Sequence, residues 1–387
     1  MFKDTKPHYL LLDALRGVVA MAVVFYHFFE AFATSPFDQR FNHGYMGVDF
    51  FFILSGFVIG YAYDDKWKSG DLSLGKFFKR RLIRLHPMVI LGAVIGLVTF
   101  FIQGSVQWDG TQVPYWHAVV AMVCTMLMLP AIPGTLPEIR GNGEMFPVNG
   151  PYWSLFFEYI GNIAYALCIR RLSTRKLAVL VWILGMGLAS FAILNGSEYG
   201  HIGVGWTMAG NNLWGGLLRM MFSYSAGMLV SRVFRPVKIR GAFWICSAAL
   251  IAIFAVPHLG KEGTLWLNGL YDSVCVLFLF PLILYIAACG SATEENVGSE
   301  ADRRSSKVWR FLGDISYPLY VIHYPFMYLF YAWCWEDGKT IAQTWPVMVG
   351  IFFGCIVLAY IVLKLYDAPV RKWLSKKYNY KNRLTIK

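Results

Sequence analysis

Residues 13–30 read DALRGVVAMAVVFYHFFE, a stretch apolar enough to cross a membrane except for Asp13, Arg16, His27 and Glu30. Helical residues advance about 100° each, so positions 16 and 27 lie within about 20° of one face. A rise of 1.5 Å per residue separates them by roughly 16 Å along the helix axis. Asp13 and Glu30 each lie one turn from a basic residue and can pair with it. The stretch therefore predicts a transmembrane helix with polar groups at two depths.

Arg16 and His27 each have a structural explanation as well as a functional one. An arginine near a helix end can extend toward the membrane surface and pair with Asp13. A histidine can form hydrogen bonds between neighbouring helices. Ionisable groups inside spans more often mark substrate or proton paths, so we favour the functional interpretation of both residues.

The composition indicates an integral membrane protein. Of the 387 residues, 57% are hydrophobic and 15% are charged. The net charge is +12, but the basic residues cluster between apolar stretches and do not indicate nucleic-acid binding. Seven cysteines lack metal-ligand spacing, so we expect no metal site. Apolar stretches lie at 10–33, 45–63, 86–103, 117–133, 151–169, 176–194, 212–231, 241–257, 267–289, 311–333 and 343–365.

The basic residues orient these stretches through the positive-inside rule. They concentrate in five segments that we expect on the cytoplasmic side: 66–84, 170–176, 232–240, 303–310 and 371–387. Three apolar stretches separate the first two segments, so one of the three does not span. The weakest is 117–133, which contains two prolines at its end. The sequence predicts an all-α polytopic membrane helix bundle of about ten transmembrane helices plus one re-entrant or short buried segment, with both termini cytoplasmic.

We expect a single integral-membrane domain over residues 1–387. Its membrane core covers 10–370, and a basic cytoplasmic tail covers 371–387. The segments 104–116, 134–150, 195–211 and 334–342 are then external.

Two further acidic residues are expected in the outer half of the membrane. Asp49 lies near the external end of the second apolar stretch, at a depth where it could reach His27 and hold its ring. Its structural alternative is to stabilise the helix N-terminus. Glu158 lies early in the fifth stretch, and a carboxylate there needs a partner.

The segment LGKFFKRRLIRLHP, 74–87, carries a basic face opposite apolar residues at helical spacing. One interpretation is an interfacial helix attracted to anionic lipid headgroups. The other is that Arg81 and Arg84, one turn apart, bind phosphate groups. Both interpretations remain open. Further along, in GDISYPLYVIHYP at 313–325, Pro318 and Pro325 are expected to break the helix.

Taken in order, these motifs resemble those of acyltransferase family 3 membrane proteins. The family's arginine, ten residues and then histidine are matched by Arg16 and His27. Other similar elements are GVDFFFILSGF, RRLIRLHP, the W-S-L-x-x-E element at 153–158, SYPLYVIHYP and the terminal YDAPVRKWL. The chain departs from the family pattern in two places. Tyr159 follows Glu158 where a second acid is frequent, and Asp367 precedes the proline where glutamate is frequent.

The resemblance implies transfer of an acyl group, commonly acetyl, from cytoplasmic acyl-CoA to a hydroxyl of an extracytoplasmic carbohydrate or glycolipid. His27 would act as general base or transient acyl carrier, oriented by Asp49 or Glu158. Arg16, Arg81 and Arg84 would bind the donor. Acyl-CoA is then the donor substrate, no metal is needed, and the partners are the acceptor glycan and membrane lipid in a bacterial cytoplasmic membrane.

A proton-coupled transporter or a lipid-linked sugar flippase is the alternative function, because ionisable groups inside spans also serve transport. Such a protein would move its substrate without acyl-CoA.

Overall fold

The computed structural model describes residues 9–35, 38–294 and 300–384. This part of the chain forms helices and loops, and its one strand-like pairing is an isolated bridge between Val106 and Gln112. The α-helices are α1 (Leu10–Glu30), α2 (Gly47–Lys68), α3 (Leu74–Ile102), α4 (Tyr115–Met126), α5 (Tyr152–Leu167), α6 (Thr174–Ile193), α7 (Asn212–Val233), α8 (Ala242–Ala255), α9 (Trp266–Val274), α10 (Phe280–Glu294), α11 (Glu300–Ile322), α12 (Tyr324–Glu336), α13 (Ile341–Val362) and α14 (Ala368–Leu384).

Within the described residues, six helical stretches are long and apolar enough to cross a membrane, which makes the protein a multi-pass membrane protein. They are Leu10–Glu30, Gly44–Lys68, Leu74–Ile102, Thr174–Ile193, Trp266–Gly290 and Ile341–Tyr378. The predicted all-helical class is confirmed. The count of ten spans and the cytoplasmic placement of both termini stay predictions, and residues 1–8 and 385–387 lie outside the described residues.

Two of the eleven predicted apolar stretches form short helices. The stretch 117–133 contains α4, whose 12 residues cover about 18 Å against a hydrocarbon core of roughly 30 Å. Its short length is consistent with the predicted non-spanning segment. The stretch 241–257 was predicted to span, but α8 has only 14 residues, or about 21 Å.

The described chain divides into two compact units. The first is built from Met1–Asp71 and Trp153–Ser316, and the second from Leu72–Tyr152 and Tyr317–Lys387.

The first unit centres on the packing of α2 against α7. Gly56 of α2 lies against the carbonyl of Tyr224, and Gly227 of α7 lies against the carbonyl of Ile53. A side chain at either glycine would collide with the backbone of the other helix. Close contact of this kind is the usual role of small residues between membrane helices. Around this pair, α6 packs on α7 and α9, and α1 packs on α2, α8 and α10.

The second unit is organised around α3, which packs against α4, α12 and α14. Polar contacts tie the end of the loop before α5, and the first residue of α5, to α11 and to α3. The Asn149 side-chain amide donates to the carbonyl of Val321 at 2.8 Å, and the Tyr152 hydroxyl donates to the carbonyl of Val89 at 3.0 Å. The buried apolar cluster of this unit consists of Ala93, Phe100, Val113, Ala118, Ala121, Ile139 and Val148.

The helix break in the SYPLYVIHYP motif lies at His323, between α11 and α12. Pro325 occupies the first turn of α12, where a missing backbone N–H costs little. The predicted break at Pro318 is wrong, because α11 continues through that residue.

The predicted tail at 371–387 does not begin a separate segment. A π-helical turn at Leu363–Asp367 joins α13 to α14, so one helical path runs from Ile341 to Leu384. Residues 385–387 lie outside the described residues.

Candidate functional site

His27 and Glu30 form a pair in the last turn of α1. The His27 Nδ1 atom lies 2.7 Å from Glu30 Oε2, and the two side chains are 14% and 28% exposed. Helical geometry places residues three apart side by side, so the predicted local pairing is confirmed. Nearer the other end of α1, Arg16 Nη1 lies 2.9 Å from Asp13 Oδ1, which confirms the second predicted local pair.

The Glu30 contact determines what the His27 ring can do. A carboxylate accepts hydrogen bonds, so Nδ1 carries the proton that it donates to Glu30. In the neutral ring the lone pair then lies on Nε2. A histidine held in this tautomer can remove a proton from a hydroxyl or attack a carbonyl carbon through Nε2. The neighbouring Tyr26 hydroxyl also interacts with Glu30, which adds a third member to the group.

Asp49 does not take the partner that the sequence analysis assigned to it. Arg219 of α7 donates from Nη2 to Asp49 Oδ2 at 2.6 Å and from Nε to Oδ1 at 3.1 Å. Both side chains are fully buried. The expectation that Asp49 directly orients His27 is therefore wrong, because a buried carboxylate pairs with the guanidinium that needs its charge.

Arg219 also binds the chain near the start of α2. Its Nη1 donates to the carbonyl of Val204 at 2.6 Å, and its Nη2 donates to the carbonyl of Tyr45 at 3.2 Å. The guanidinium carbon lies 5.3 Å from the Trp153 ring centroid. Arg219 thus joins α7 to α2, to the segment before α2 and to the loop that follows α6.

Glu158 of α5 pairs with α2. Its Oε1 atom accepts a hydrogen bond from the Ser55 hydroxyl at 2.9 Å. Ser55 belongs to the Ser-Gly pair of the predicted motif, so the motif contributes both a polar contact to α5 and, through Gly56, a close approach to α7. The three predicted catalytic residues, His27, Asp49 and Glu158, therefore have three different partners in the first unit.

A second cluster of polar residues in this unit surrounds Asp272, which is fully buried. The Tyr45 hydroxyl lies 2.9 Å from both carboxylate oxygens, and the backbone N–H of Ile202 donates to Oδ2 at 3.0 Å. His43 Nε2 lies 3.7 Å from Oδ1, while its Nδ1 lies 2.8 Å from the carbonyl of Val256.

Three imidazole rings lie close together beside this carboxylate. His258 lies 4.7 Å from His43 and 5.6 Å from His201 between ring centroids, and His201 stacks on Tyr45 at 4.8 Å. Burial, reinforced by the neighbouring His258, lowers the pKa of His43 and of His201 to about 3. Both rings are therefore neutral near pH 7. Across the described ranges, no set of three His, Cys, Asp or Glu residues is arranged to hold a metal ion.

Arg81 and Arg84 lie on α3 in the second unit, on the stretch that continues into a candidate span. Arg84 is exposed and Arg81 is half-buried. Ser73 caps the start of the helix, and its hydroxyl oxygen accepts from the backbone N–H of Lys76. The sequence therefore predicted the helical presentation of these arginines correctly.

Sequence reasoning missed Arg219 and Asp272, although both lie inside predicted apolar stretches. The criterion applied to residues 16, 27, 49 and 158 would have selected them, because an ionisable group in a span needs a partner. His43, His201 and His258 gave no comparable signal. They lie in loops, and only the folded chain brings them together.

Comparison with known proteins gives a consistent family assignment. A family model described as an acyltransferase domain matches residues 9–364. A protein of Rhizobium radiobacter, named protein 2 in the picA locus, is 36% identical over 188 residues, which is 47% of this chain and 92% of that protein. No solved structure matches the chain.

Two relatives carry functional names. A Staphylococcus aureus (strain MRSA252) protein named as an O-acetyltransferase is 22% identical over 397 residues, covering 96% of this chain and 58% of the relative. The acyltransferase MdmB of Streptomyces mycarofaciens is 25% identical over 339 residues, covering 81% of this chain and 77% of the relative. The chain thus spans little more than half the length of the staphylococcal relative.

Proposed function

This chain belongs to acyltransferase family 3 and is a multi-pass membrane acyltransferase, and on that premise we propose that it acetylates a carbohydrate or glycolipid. The donor is cytoplasmic acetyl-CoA, and the acceptor is a hydroxyl outside the cytoplasm. The membrane concerned is the bacterial cytoplasmic membrane. The staphylococcal relative named as an O-acetyltransferase supports the acetyl group and the oxygen acceptor.

The observation that carries the mechanism is the 2.7 Å contact between His27 Nδ1 and Glu30 Oε2. It supports a His27 ring with its basic lone pair on Nε2 and its orientation fixed by a carboxylate one turn away. Glu30 replaces Asp49 and Glu158 in the orienting role that the sequence analysis assigned to those residues. Asp49 acts instead through Arg219, as a positioning residue.

In the proposed reaction, His27 Nε2 removes the proton of the acceptor hydroxyl. The hydroxyl oxygen forms a bond to the thioester carbonyl carbon, the carbon–sulfur bond breaks, and the CoA thiolate leaves and takes up a proton. Glu30 stabilises the imidazolium that exists between these proton transfers. In the covalent alternative the same Nε2 atom first accepts the acyl group and then passes it to the hydroxyl.

We assign the binding of the acyl donor to three arginines. Arg16 forms a salt bridge with Asp13, and Arg81 and Arg84 lie one turn apart on α3. Guanidinium groups form charge-assisted, often bidentate hydrogen bonds with phosphate, and acyl-CoA supplies such phosphates. Glu158, held by Ser55, remains a candidate for contact with the acceptor.

A transfer assay tests the proposed function. Purified protein is reconstituted into vesicles and supplied with acetyl-CoA labelled in the acetyl group, together with a glycolipid extract from bacterial membranes. We expect the labelled acetyl group in the glycan fraction. Mild alkali should release this label as acetate, because base cleaves an ester bond. Glycolipid translocation with no label transfer would instead favour a flippase.

A further inference from the structure

The basic helix α14 has no role in the proposed reaction. It nevertheless packs, in the second unit, against α3, the helix that carries Arg81 and Arg84. The Tyr366 hydroxyl donates to the carbonyl of Pro87 at 3.1 Å, and Lys79 Nζ lies 4.0 Å from the Tyr378 ring centroid. These contacts hold the start of α14 alongside the basic half of α3.

The two facing segments carry a large excess of positive charge. Residues 72–87 and 363–378 together contain ten Lys and Arg side chains and one acidic side chain, Asp367. Like charges brought together by packing repel one another, and a bound anion relieves that repulsion.

Asp367 organises this charge. Its side chain is 2% exposed, and its Oδ2 atom lies 2.8 Å from Arg371 Nη2, one turn along the helix. Arg84 of α3 also attracts the Asp367 carboxylate. A single buried acid thus pairs with Arg371 of α14 and attracts Arg84 of α3, and it neutralises only one of the two positive charges.

The pair leaves hydrogen-bonding capacity unused. Among the described residues, Arg371 Nε donates to no acceptor and Asp367 Oδ1 accepts from no donor, although both atoms are buried. Buried donors in native proteins are nearly always satisfied, so Arg371 Nε is suited to an acceptor that arrives with a ligand. An arginine fork held by a carboxylate is a common arrangement for binding phosphate.

We infer that α14 completes the donor site: Arg371 and Arg84 bind a phosphate group of acyl-CoA, and Asp367 positions the Arg371 guanidinium. This inference rests on the proposed function. A lipid headgroup offers the same chemistry, but attraction to a membrane surface needs only exposed charge. Arg371 is only 24% exposed and is held by a buried carboxylate, which favours a defined phosphate ligand.

The test compares two acetyl donors in the reconstituted transfer assay: acetyl-CoA and S-acetylpantetheine, which lacks phosphate. The Arg371→Gln variant removes the guanidinium. The matched control is Lys364→Gln, which removes one charge from the same helical path at an exposed position where Lys364 lies over the Tyr360 ring. Vesicles of neutral phosphatidylcholine are used, with a parallel set containing anionic phosphatidylglycerol.

We expect Arg371→Gln to raise the KM for acetyl-CoA by about tenfold or more in neutral vesicles, with kcat within about twofold of the parent. Its kinetics with S-acetylpantetheine should match those of the parent, and Lys364→Gln should behave as the parent with both donors. Arg371→Lys should give an intermediate KM, because it keeps the charge and loses the fork.

Three results would overturn the inference. The first is an unchanged KM for acetyl-CoA in Arg371→Gln. The second is an equal loss with both donors, which would indicate a general structural defect. The third is an effect of the substitution that appears only in anionic vesicles, which would assign the site to lipid. Failure of the parent protein itself to transfer acetyl from acetyl-CoA would contradict the proposed function and is recognised separately from these results.

Discussion

Glu30 is the residue that gives His27 its proposed chemistry, because it selects the tautomer through the 2.7 Å contact with Nδ1. Replacing Glu30 by Gln keeps the size of the side chain and removes the charge that stabilises an imidazolium. We expect kcat for acetyl transfer to fall by about tenfold or more, with little change in the KM for acetyl-CoA. Steady-state kinetics of the reconstituted protein measure both values.

The control for this prediction is Glu262→Gln, which alters an exposed acid on the loop before α9. It should leave the kinetics unchanged. Glu30→Asp should recover part of the lost rate, since it restores the charge at a shorter reach. Parental kcat in Glu30→Gln would remove Glu30 from the mechanism.

Asp49 and Arg219 illustrate a different residue-scale effect, because their charges are buried together. Asp49→Ala leaves the Arg219 guanidinium buried without its counter-charge, which typically costs about 3–5 kcal/mol. We therefore expect a clear fall in the Tm of Asp49→Ala in detergent, measured by intrinsic fluorescence or scanning fluorimetry.

The double variant Asp49→Leu with Arg219→Met tests the cause, since it removes both charges and refills the space with apolar atoms. It should be more stable than Asp49→Ala. A double variant less stable than the single one would show that lost packing, rather than an unpaired charge, causes the defect.

These residues also show what the sequence predicts at this scale. The pairs Asp13–Arg16 and His27–Glu30 lie within one turn, so the helical period alone predicts them. Asp49 and Arg219 are 170 positions apart. No local rule selects Arg219 as the partner, because the choice depends on how α2 and α7 pack. The sequence therefore indicated that Asp49 needs a partner inside the apolar stretch, but it did not identify Arg219 as that partner.

At the scale of elements, the α2–α7 crossing depends on two glycines. A Cβ atom at Gly56 would collide with the backbone of Tyr224, which cannot move as a flexible side chain can. We expect Gly56→Ala to lower the free energy of unfolding by about 1–3 kcal/mol or more, because this is the usual cost of overpacking. The measurement is the Tm of the purified protein together with its yield of monodisperse material.

Gly350→Ala is the matched control, because nothing lies within 4 Å of a Cβ placed at this helical position of α13. It should be neutral or stabilising, since alanine favours a helix by about 1 kcal/mol relative to glycine. Equal Tm values for the two variants would contradict the proposed close packing of α2 and α7.

Sequence periodicity and hydropathy predicted the existence of most helices but not their lengths. The stretches 117–133 and 241–257 are both long apolar stretches, yet they contain helices of only 12 and 14 residues. Hydropathy reports the preference of a segment for an apolar environment and does not report where its helix ends. Proline is also ambiguous, because α11 accommodates Pro318 and breaks at His323 instead.

At the scale of the whole molecule, buried neutral histidines predict acid sensitivity. An unfolded histidine has a pKa near 6.5, whereas burial lowers the pKa of His43 and His201 to about 3. Between these values the unfolded chain binds more protons than the folded one, so the free energy of unfolding falls as pH decreases. For fully buried His43 the loss at pH 5 is about 2 kcal/mol.

His43→Gln separates this effect from the titration of carboxylates, since glutamine retains a donor for the Val256 carbonyl that His43 contacts. The Tm is followed between about pH 8 and pH 5. We expect a smaller decrease for His43→Gln than for the parent. Identical decreases would show that His43 does not contribute to the acid sensitivity.

At this scale the acyltransferase family was predictable because it depends on ordered motifs along the chain. Arg16 and His27, the W-S-L-x-x-E element and SYPLYVIHYP occur in the family's order, and the match over residues 9–364 confirms the family. The tertiary contacts that surround these motif residues were not predictable. Arg219, Asp272 and the three neighbouring imidazoles belong to distant segments, and only tertiary packing brings them together.

The most direct test of the central claim is acetyl transfer by His27→Gln in vesicles, with labelled acetyl-CoA and a glycolipid acceptor extract. General-base catalysis contributes about 10²- to 10⁴-fold, so the account predicts a loss of at least about 100-fold in kcat. The variant must retain the parental Tm for the result to be assigned to chemistry. Acetyl transfer by a folded His27→Gln protein at the parental rate would contradict the account.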